Sequence, residues 1–453
     1  MERELRAIVG EEAVLTEIGW YASDLTGLPA TADAVVLPGT AEEVAGVVAW
    51  CYEHDVPITP RGGGTGAAGG CVPIDGGIIL ALDRLDRVRQ FDPLLWRMHI
   101  EAGVKTGHIH ALARDNGLMF APDPGASEQS QIGGNIATNA AGPHAYKYGA
   151  TGAWVTGLEA VVPPGEVITV GGPIRKDVAG YDVKSLLIGS EGTLGVVTAA
   201  WLRLVPAPEV VLPVAAFLPD TATGCAAILR VIGSGIRATA IEFLDGETLA
   251  CAGGSFDGRP LPEGAGFMVI AEADGSAAEA AAMQAELIEV LGEGAISVHA
   301  PSGRADIEAL WRWRGGLAFA VLARRGLALS EDIVVPVDRL EEAIESTYEI
   351  GNRHDVVAVS FGHAGDGNLH STFLFSPDVP EERDRAFAAS HELFDLAVRL
   401  GGSISGEHGL GYLKRGQLEK QWPPRAIELH EAVKRVFDPK GLLNPGKKLA
   451  RLA

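Results

Sequence analysis

The stretch Arg61-Gly-Gly-Gly-Thr-Gly-Ala-Ala-Gly-Gly70 decides which fold the chain can adopt. Its residues 64–69 satisfy the G-x-G-x-x-G pattern and follow a predicted strand at 56–60. In a dinucleotide-binding βαβ unit this loop must open a helix, whose N-terminus meets the pyrophosphate. Here Gly70-Cys-Val-Pro-Ile74 leads to another predicted strand, so the context excludes the NAD-binding interpretation. Successive N–H groups in such a turn can still form a nest for an anion.

Two further stretches share this small-residue character, at 122–142 and 188–196. A P-loop is excluded, because no glycine is followed by Lys-Ser or Lys-Thr at the required spacing. Taken singly, each glycine loop is more often a turn than a binding site. Three of them in one region need a common cause. A large flat ligand that is contacted mainly by backbone supplies that cause.

The composition of the whole chain narrows the classes of partner. The 453 residues carry 37 Lys plus Arg against 59 Asp plus Glu, which gives a formal net charge of −22. A field of that sign repels phosphate backbones and anionic lipid surfaces. We therefore expect no nucleic-acid partner and no membrane-surface partner, although a local basic pocket can still hold a small anion.

The sequence predicts no targeting segment and no membrane-spanning segment. Its first residues lack the basic flank and apolar run of a signal peptide, and no apolar stretch reaches the roughly 18 residues of a membrane span. The four cysteines lie far apart without a C-x-x-C motif, which argues against an iron–sulfur cluster and for a reducing compartment. We expect a cytoplasmic location.

Residues 1–206 predict an α+β domain, because many short strands are interspersed with helices and glycine. The region begins with helices around a short strand, and residues 104–117 are expected to form another helix. The predicted strands of this region lie at 56–60, 76–82, 97–103, 157–163 and 194–206.

The pattern of predicted strands and helices changes near residue 207, where a second domain is expected to begin. Strands alternate with helices, and VVAVSFGH (356–363) and LHSTFLF (369–375) predict a hairpin across Ala-Gly-Asp-Gly-Asn. An amphipathic helix follows at 381–402. This pattern predicts one antiparallel sheet with helices on a single face.

The sharpest chemical signal is Phe361-Gly-His-Ala-Gly-Asp-Gly-Asn-Leu-His370, because its tight turn brings His363 near His370. Two neutral imidazoles with one carboxylate are a common ligand set for zinc, iron or manganese, and they leave positions open for substrate. Glu407, in Ser405-Gly-Glu-His-Gly-Leu-Gly411, is the candidate carboxylate. His408 would project differently and remain available as a base. The remaining histidines are assigned structural roles.

At the glycine segments the chain resembles the FAD domain of the vanillyl-alcohol-oxidase/PCMH flavoprotein superfamily. The resemblance implies that the first loop cradles the diphosphate, while the second and third contact the flavin ring and ribityl chain. Covalently flavinylated members often carry a His at the first loop, and this chain has Gly-Gly-Gly-Thr-Gly there, which implies non-covalent FAD. The implied FAD-binding residues are Pro60, Arg61, Gly62, Gly63, Gly64, Thr65, Gly66, Pro122, Asp123, Gly133, Gly134, Asn135, Thr138, Ala140, Gly142, Glu191, Gly192, Val196 and Asn444.

G-H-x-G-D-G-N-x-H with a later G-E-H-G-x-G further resembles the FAD-linked oxidases that act on D-lactate, glycolate and D-2-hydroxyglutarate. The resemblance implies a divalent metal (Zn, Mn or Fe) on His363, His370 and Glu407, with His408 as general base. It also implies that Arg314, in Trp311-Arg-Trp-Arg314, binds the substrate carboxylate, unless it is a solvated helix arginine among its neighbours.

The implied architecture has three parts. An FAD-binding PCMH-type domain covers 1–206, and an antiparallel, ferredoxin-like substrate and metal domain covers 207–410. A C-terminal segment covers 411–453 and returns to the FAD domain through Asn444-Pro-Gly-Lys447.

The expected reaction is the oxidation of a D-2-hydroxy acid to the 2-oxo acid. The metal would acidify the hydroxyl, a base would remove its proton, and the hydride would pass to FAD. The electron acceptor (quinone, electron-transfer flavoprotein, cytochrome or oxygen) and a homodimer are left open. Two alternatives remain: a subunit of a multi-subunit glycolate-oxidase-type complex, and a metal-dependent hydrolase whose glycine loops are structural.

Overall fold

The computed structural model describes residues 1–253, 255–256 and 259–449, with the side chain of residue 259 left aside. Within it the chain divides into two compact units. The first unit comprises Met1–Gly142, Gly149–Ala207 and Glu407–Ala453, of which 450–453 lie outside the described residues. The second unit comprises Pro143–Tyr148 and Pro208–Gly406. A six-residue excursion at 143–148 therefore belongs by its contacts to the second unit.

The regular elements up to residue 206 are short, as the glycine content predicts. They are α1 (Glu2–Val9), β1 (Val14–Leu15), β2 (Ala34–Val36), α2 (Ala41–Glu53), β3 (Ile58–Arg61), β4 (Ile78–Ala81), β5 (Val88–Asp92), β6 (Arg97–Glu101), α3 (Thr106–Arg114), β7 (Leu118–Met119), α4 (Ile132–Thr138), α5 (Ala145–Tyr148), β8 (Val155–Val162), β9 (Glu166–Gly171), α6 (Val183–Leu187), β10 (Val196–Arg203) and β11 (Val205–Pro206).

Two sheets organise the first unit. A four-stranded sheet has the order β1-β2-β4-β3, in which β2 and β3 both run parallel to β4. A five-stranded antiparallel sheet has the order β5-β6-β10-β8-β9. No α-helix lies between β3 and β4, so the glycine loop connects two strands and does not open a helix. The mixture of short helices with these sheets confirms the α+β prediction.

The remaining elements are longer and alternate more regularly. They are β12 (Val210–Leu218), α7 (Thr221–Gly233), β13 (Ala240–Asp245), α8 (Gly246–Cys251), β14 (Ser255–Phe256), β15 (Arg259–Pro260), β16 (Phe267–Gly275), α9 (Ala277–Gly292), β17 (Ser297–His299), α10 (Arg304–Ala323), β18 (Leu327–Val334), α11 (Leu340–Arg353), β19 (Val357–His363), β20 (Asn368–Phe375), α12 (Pro380–Arg399), α13 (Leu418–Gln421) and α14 (Pro424–Phe437).

The second unit is built on one seven-stranded antiparallel sheet with the order β17-β12-β16-β13-β19-β20-β18. The predicted hairpin is confirmed, because β19 pairs with β20 across a short turn at 364–367. Gly367 in that turn has a φ of 75°, and a Cβ there would lie 1.9 Å from the carbonyl oxygen of Val335, so the position requires glycine.

Helices cover both faces of this sheet, which corrects the prediction of a single covered face. On what we call the four-helix face lie α7, α9, α11 and α12; there Tyr348 of α11 donates to Asp245, and Ser390 of α12 donates to Glu331. The opposite face, called the α10 face, carries α10 over an apolar cluster that includes Phe217, Met268 and Ile270. An apolar cluster on a sheet face must be buried against another element, and α10 provides that cover.

Two further properties bear on the predictions. All four cysteines have free thiols. Among the described residues, no helix combines the length and the apolar character needed to cross a membrane.

Candidate active site

The three glycine segments lie together in the first unit. The loop after β3 packs against 129–134 so closely that a Cβ on Gly63 would lie 2.3 Å from the carbonyl oxygen of Gln129. A Cβ on Gly62 would lie 3.3 Å from the Cα of Gly134, and a Cβ on Gly192 would lie 3.2 Å from the ring of Pro60. These contacts form a backbone cradle with few side chains, which fits a large flat ligand.

Several side chains predicted to bind the cofactor are used inside the first unit. Arg61 is buried and donates to the carbonyl oxygens of Ser23 at 2.6 Å and Trp20 at 3.2 Å. Asn135 donates to the hydroxyl of Thr106 at 2.6 Å. Contacts from these positions to a cofactor therefore fall mainly to backbone groups. The other predicted positions in this unit are Gly64, Thr65, Gly66, Pro122, Asp123, Gly133, Thr138, Ala140, Gly142 and Val196.

Glu191 and Asn444 tie the C-terminal segment to the cradle. Glu191 is buried and accepts from the backbone N–H groups of Leu410 at 3.0 Å and Gly411 at 2.6 Å. The side-chain amide of Asn444 donates to the carbonyl oxygens of Glu191 at 2.7 Å and Gly70 at 2.9 Å. Its Oδ1 is buried and makes no hydrogen bond within the described part of the chain.

The two hairpin histidines meet on the α10 face of the second unit. Phe361 pairs with His370 and His363 pairs with Asn368, which places both imidazoles on the same side of the sheet. Their ring centroids lie 5.2 Å apart at an interplanar angle of 89°, and a nitrogen of one ring lies within 4.8 Å of a nitrogen of the other. This arrangement supplies two imidazole ligands for one cation.

A buried carboxylate stands behind one of these histidines. Glu242 of β13 is fully buried, and its Oε1 lies 2.6 Å from Nδ1 of His363. Its Oε2 accepts from Nε of Arg314 at 3.0 Å and lies 2.7 Å from Nη2, as an ion pair. Burial alone would raise the pKa of Glu242, but the neighbouring His363 and Arg314 outweigh it and hold that pKa below its usual value. Glu242 is therefore a carboxylate that only accepts hydrogen bonds.

Arg314 is not a solvated helix arginine. It lies on α10 with 9% of its surface exposed, and its guanidinium carbon stands 5.3 Å from the ring centre of Phe361. Arg312, two residues earlier on the same helix, is exposed. The neighbouring pair Arg324 and Arg325 binds Glu247 and Glu382.

Glu407 and His408 follow directly on the last residue of the second unit. The N–H of Gly406 donates at 2.8 Å to Asp332, a buried residue of β18 on the α10 face. A carboxylate oxygen of Asp332 also lies within 4.8 Å of an imidazole nitrogen of His370. On the far side of Glu407 and His408, Leu410 is held by Glu191 in the first unit. The two residues thus lie on a short stretch of chain that is anchored at both ends.

A second buried carboxylate lies beside Glu242 on the same face. Glu272 of β16 accepts from Nε1 of Trp311 and lies within hydrogen-bond distance of Nε2 of His144, both at 2.7 Å. His144 thereby joins the excursion at 143–148 to the sheet, which is the structural role predicted for it. Lys147 and Tyr148 of the same excursion bind Asp274, two residues further along β16.

Comparisons with known families decide the class of protein. Residues 207–448 match the family described as FAD linked oxidases, C-terminal domain, and residues 32–171 match the FAD binding domain. The first match alone covers more than half of the chain. The chain belongs to the FAD-linked oxidases. It is an FAD-dependent oxidoreductase, and the hydrolase alternative is excluded.

Relatives of this FAD-linked oxidase extend over almost its whole length. It is 35% identical to "Glycolate oxidase subunit GlcD" of Bacillus subtilis, over 92% of this chain and 89% of the relative. It is 34% identical to "D-lactate dehydrogenase" of Anaerostipes hadrus, over 92% and 89%. It is 35% identical to "D-2-hydroxyglutarate dehydrogenase" of Xanthomonas citri, over 91% and 88%.

Solved structures confirm the PCMH-type fold of this FAD-linked oxidase. The structure of p-cresol methylhydroxylase with substrate bound matches with a TM-score of 0.81 at 19% identity, over 99% of this chain and 96% of that one. A structure of 4-ethylphenol oxidase from Gulosibacter chungangensis matches with a TM-score of 0.77 at 19% identity, over 99% and 96%.

Sequence reasoning missed the buried acids of this FAD-linked oxidase. Glu242, Glu272 and Asp332 lie on strands of the α10 face, and β13 itself was not predicted. A usable signal was present, because Glu242 and Glu272 each interrupt an apolar run, AIEFL at 240–244 and VIAEA at 269–273, and Asp332 directly precedes one, EDIVV at 331–335. A charged residue inside a strand that is buried on both sides needs a partner, and so it marks a polar cluster.

Proposed function

We propose that this FAD-linked oxidase converts a D-2-hydroxy acid to the 2-oxo acid with the help of a divalent cation held by His363, His370 and Glu407. Relatives named for glycolate, D-lactate and D-2-hydroxyglutarate support this substrate class. Those names share one chemistry, a carboxylate beside a carbon that bears a hydroxyl group.

The observation that carries the metal proposal is the hydrogen bond between His363 and Glu242. A carboxylate can only accept, so Nδ1 of His363 must carry its proton, and Nε2 keeps a lone pair. Imidazole ligands of metals characteristically donate their other N–H to a carboxylate in this way. With His370 as its neighbour, the donor set is that of a two-histidine, one-carboxylate site that leaves positions open for substrate.

FAD fits the first unit, because the glycine loops offer backbone N–H groups over a wide surface without intruding Cβ atoms. The loop after β3 contains no histidine, which supports non-covalent binding. Acid precipitation is therefore expected to release the yellow colour into the supernatant. When bound, FAD supplies a two-electron acceptor and a divalent cation supplies a Lewis acid.

The protein's own groups then have three tasks. Arg314 binds the substrate carboxylate and fixes the orientation of the α-carbon. His363, His370 and Glu407 hold the cation that the hydroxyl contacts. An imidazole nitrogen of His408 accepts the hydroxyl proton, which is a general-base role.

Adjacent replacements at Glu407 and His408 test this division of labour. Glu407→Gln is expected to lose metal and activity together. His408→Asn is expected to keep metal and FAD but to slow flavin reduction by about a hundredfold or more, the usual size of a general-base effect. Metal analysis and anaerobic stopped-flow reduction measure both. If His408→Asn loses metal and Glu407→Gln keeps it, the two roles are exchanged.

A second candidate function is that of a flavin-bearing subunit of a larger oxidase. It is favoured by the word "subunit" in the names of two relatives, from Bacillus subtilis and Escherichia coli. The purified chain alone, assayed with D- and L-hydroxy acids and an artificial dye acceptor, discriminates between the two. Turnover with the dye shows that no partner is required for the oxidation itself.

A further inference from the structure

Glu242 contacts two side chains to which the proposed function gives different tasks. One carboxylate oxygen lies 2.6 Å from Nδ1 of His363, and the other accepts from Nε of Arg314 at 3.0 Å and lies 2.7 Å from its Nη2. The carboxylate is fully buried, so water does not weaken these contacts. A single residue, Glu242, therefore contacts both the candidate metal ligand and the candidate substrate-binding arginine.

On the histidine side, Glu242 selects a tautomer. Neutral imidazole carries one proton on either nitrogen, and its partner decides which. Because Glu242 accepts at Nδ1, the lone pair of His363 is confined to Nε2. Without the carboxylate, the ring can adopt the other tautomer and can rotate, and both changes weaken its use as a ligand.

On the arginine side, Glu242 occupies one edge of the guanidinium. Nε donates to Oε2 and Nη2 lies 2.7 Å from the same oxygen, whereas Nη1 makes no hydrogen bond to any residue that the structure describes. The ring of Phe361 lies against the group and restricts its tilt. The Nη1 end is therefore the part of Arg314 left to receive a second carboxylate.

We propose that Glu242 is a positioning residue that orients His363 as a metal ligand and Arg314 as a carboxylate receptor at the same time. This inference rests on the proposed function, because it assumes that a cation binds at His363. Glu242 itself touches neither substrate nor cation. Its effect is to couple the metal affinity of the site to its affinity for hydroxy acid.

Glu272 provides a matched control. It is a buried glutamate on β16, the strand paired with β13, and it lies on the same face of the sheet. It also bonds a histidine and a residue of α10, namely His144 and Trp311. Neither of these has a task in the proposed function. Loss of a buried carboxylate as such is therefore common to Glu242→Gln and Glu272→Gln, and only the first touches His363.

The experiment measures zinc affinity of the FAD-loaded, metal-stripped full chain by competition with a chromophoric chelator. Glu242→Gln is expected to raise the Kd for Zn²⁺ by about ten- to a hundredfold, the usual effect of removing a carboxylate behind a ligand histidine. Glu272→Gln is expected to keep it within about twofold. The flavin spectrum and the melting temperature of each variant report that the fold is retained.

A second readout separates positioning from a general structural effect. Histidine-selective ¹⁵N NMR of the metal-free protein is expected to show the Nδ1–H form of His363 in the native chain and in Glu272→Gln. In Glu242→Gln that signal is expected to shift toward the Nε2–H form. Anaerobic titration with D-lactate is expected to show weaker binding in Glu242→Gln alone.

The outcomes distinguish this inference from the proposed function. If His363→Ala loses zinc while Glu242→Gln binds it as tightly as the native chain, the positioning role is wrong and the metal site stands. If the native chain binds no zinc and His363→Ala changes nothing, the metal proposal itself is wrong. Should Glu242→Gln not fold, the double replacement Glu242→Gln/Arg314→Met, which leaves no unpaired charge, is measured instead, and native zinc affinity there overturns the inference.

Discussion

Two buried acids on one strand, Glu242 and Asp245, point to opposite faces of the seven-stranded sheet and meet different partners. Glu242 faces α10 and pairs with Arg314 and His363. Asp245 faces the four helices, and its hydrogen-bond donors among the described residues are neutral, including the hydroxyl of Tyr348 at 2.6 Å and the N–H of Thr248 at 2.7 Å. Both side chains are fully buried.

The difference in partners sets the charge of each acid. Cationic and imidazole neighbours hold the pKa of Glu242 below its usual value despite burial. Within the described part of the chain Asp245 pairs with no cation, and burial raises its pKa to about 6. The α10 face therefore brings charged groups together at Glu242, whereas on the four-helix face Asp245 caps α8 and binds Tyr348 of α11. Replacements on the first face are expected to change catalysis, and those on the second to change stability.

The largest expected effect is that of replacing His370 of β20, and its neighbour Ser371 serves as the control. His370→Ala removes a proposed ligand on the α10 face, and since Lewis-acid stabilisation amounts to several kcal/mol, turnover should fall by about a thousandfold. Ser371→Ala, whose buried hydroxyl lies on the four-helix face 3.2 Å from that of Thr347, should lower the melting temperature and leave turnover near native. Steady-state rates and thermal unfolding measure both. If His370→Ala and Ser371→Ala lose turnover equally, the expected functional difference between the two faces is wrong.

An intermediate effect is expected at Arg314. Arg314→Ala removes the proposed partner of the substrate carboxylate, a charged hydrogen bond worth about 1.5–3 kcal/mol, so the apparent KM should rise roughly ten- to a hundredfold. Arg314→Lys should recover part of this loss, because ammonium keeps the charge opposite Glu242 but lacks the fork. Arg312→Ala, on the exposed side of the same helix, is the control. If Arg314→Ala leaves KM unchanged and Arg312→Ala raises it, Arg312 and not Arg314 binds the substrate carboxylate.

The smallest effect on catalysis is expected at Asp245, where the predicted change concerns stability alone and depends on pH. Because the pKa of Asp245 is raised in the folded chain, its contribution is complete below about pH 4 and is lost as pH rises through about 6. The free energy of unfolding of the native chain should therefore fall relative to that of Asp245→Asn over this interval, by up to about 3 kcal/mol. Denaturant titrations at pH 4, 5, 6 and 7 measure the difference. A constant difference would mean that Asp245 stays charged.

Sequence reasoning reached the fold and the histidines because both leave local patterns. The glycine loops excluded a βαβ unit through the residues that follow them, and the hairpin between β19 and β20 was predicted from a tight Asp-Gly turn. The missed features depend on distant parts of the chain. Glu242 reaches His363 across 121 positions of sequence, and only the pairing of β13 with β19 brings them together.

Other misses have similarly physical reasons. Helix α10 was not predicted, and the unexpected cover on the second face follows from this omission. Its residues Trp311 and Trp313 alternate with arginines, a period of two that hides the helical spacing of its buried positions Leu310, Arg314 and Leu317. The assignment of Glu191 as a cofactor residue stays a prediction, and its carboxylate accepts from the N–H groups of residues 410 and 411.

The most direct test of the proposed metal role is the anaerobic reduction of the bound FAD by a D-2-hydroxy acid. The rate is followed in one preparation before metal removal, after metal removal, and after Zn²⁺ or Mn²⁺ is returned. Metal-assisted oxidation predicts that the stripped enzyme keeps its flavin spectrum and its melting temperature but reduces flavin at least about a hundredfold more slowly. The returned metal is expected to restore the rate. Full-rate reduction by metal-free enzyme would contradict the proposed metal role, and with it the task assigned to His363, His370 and Glu407.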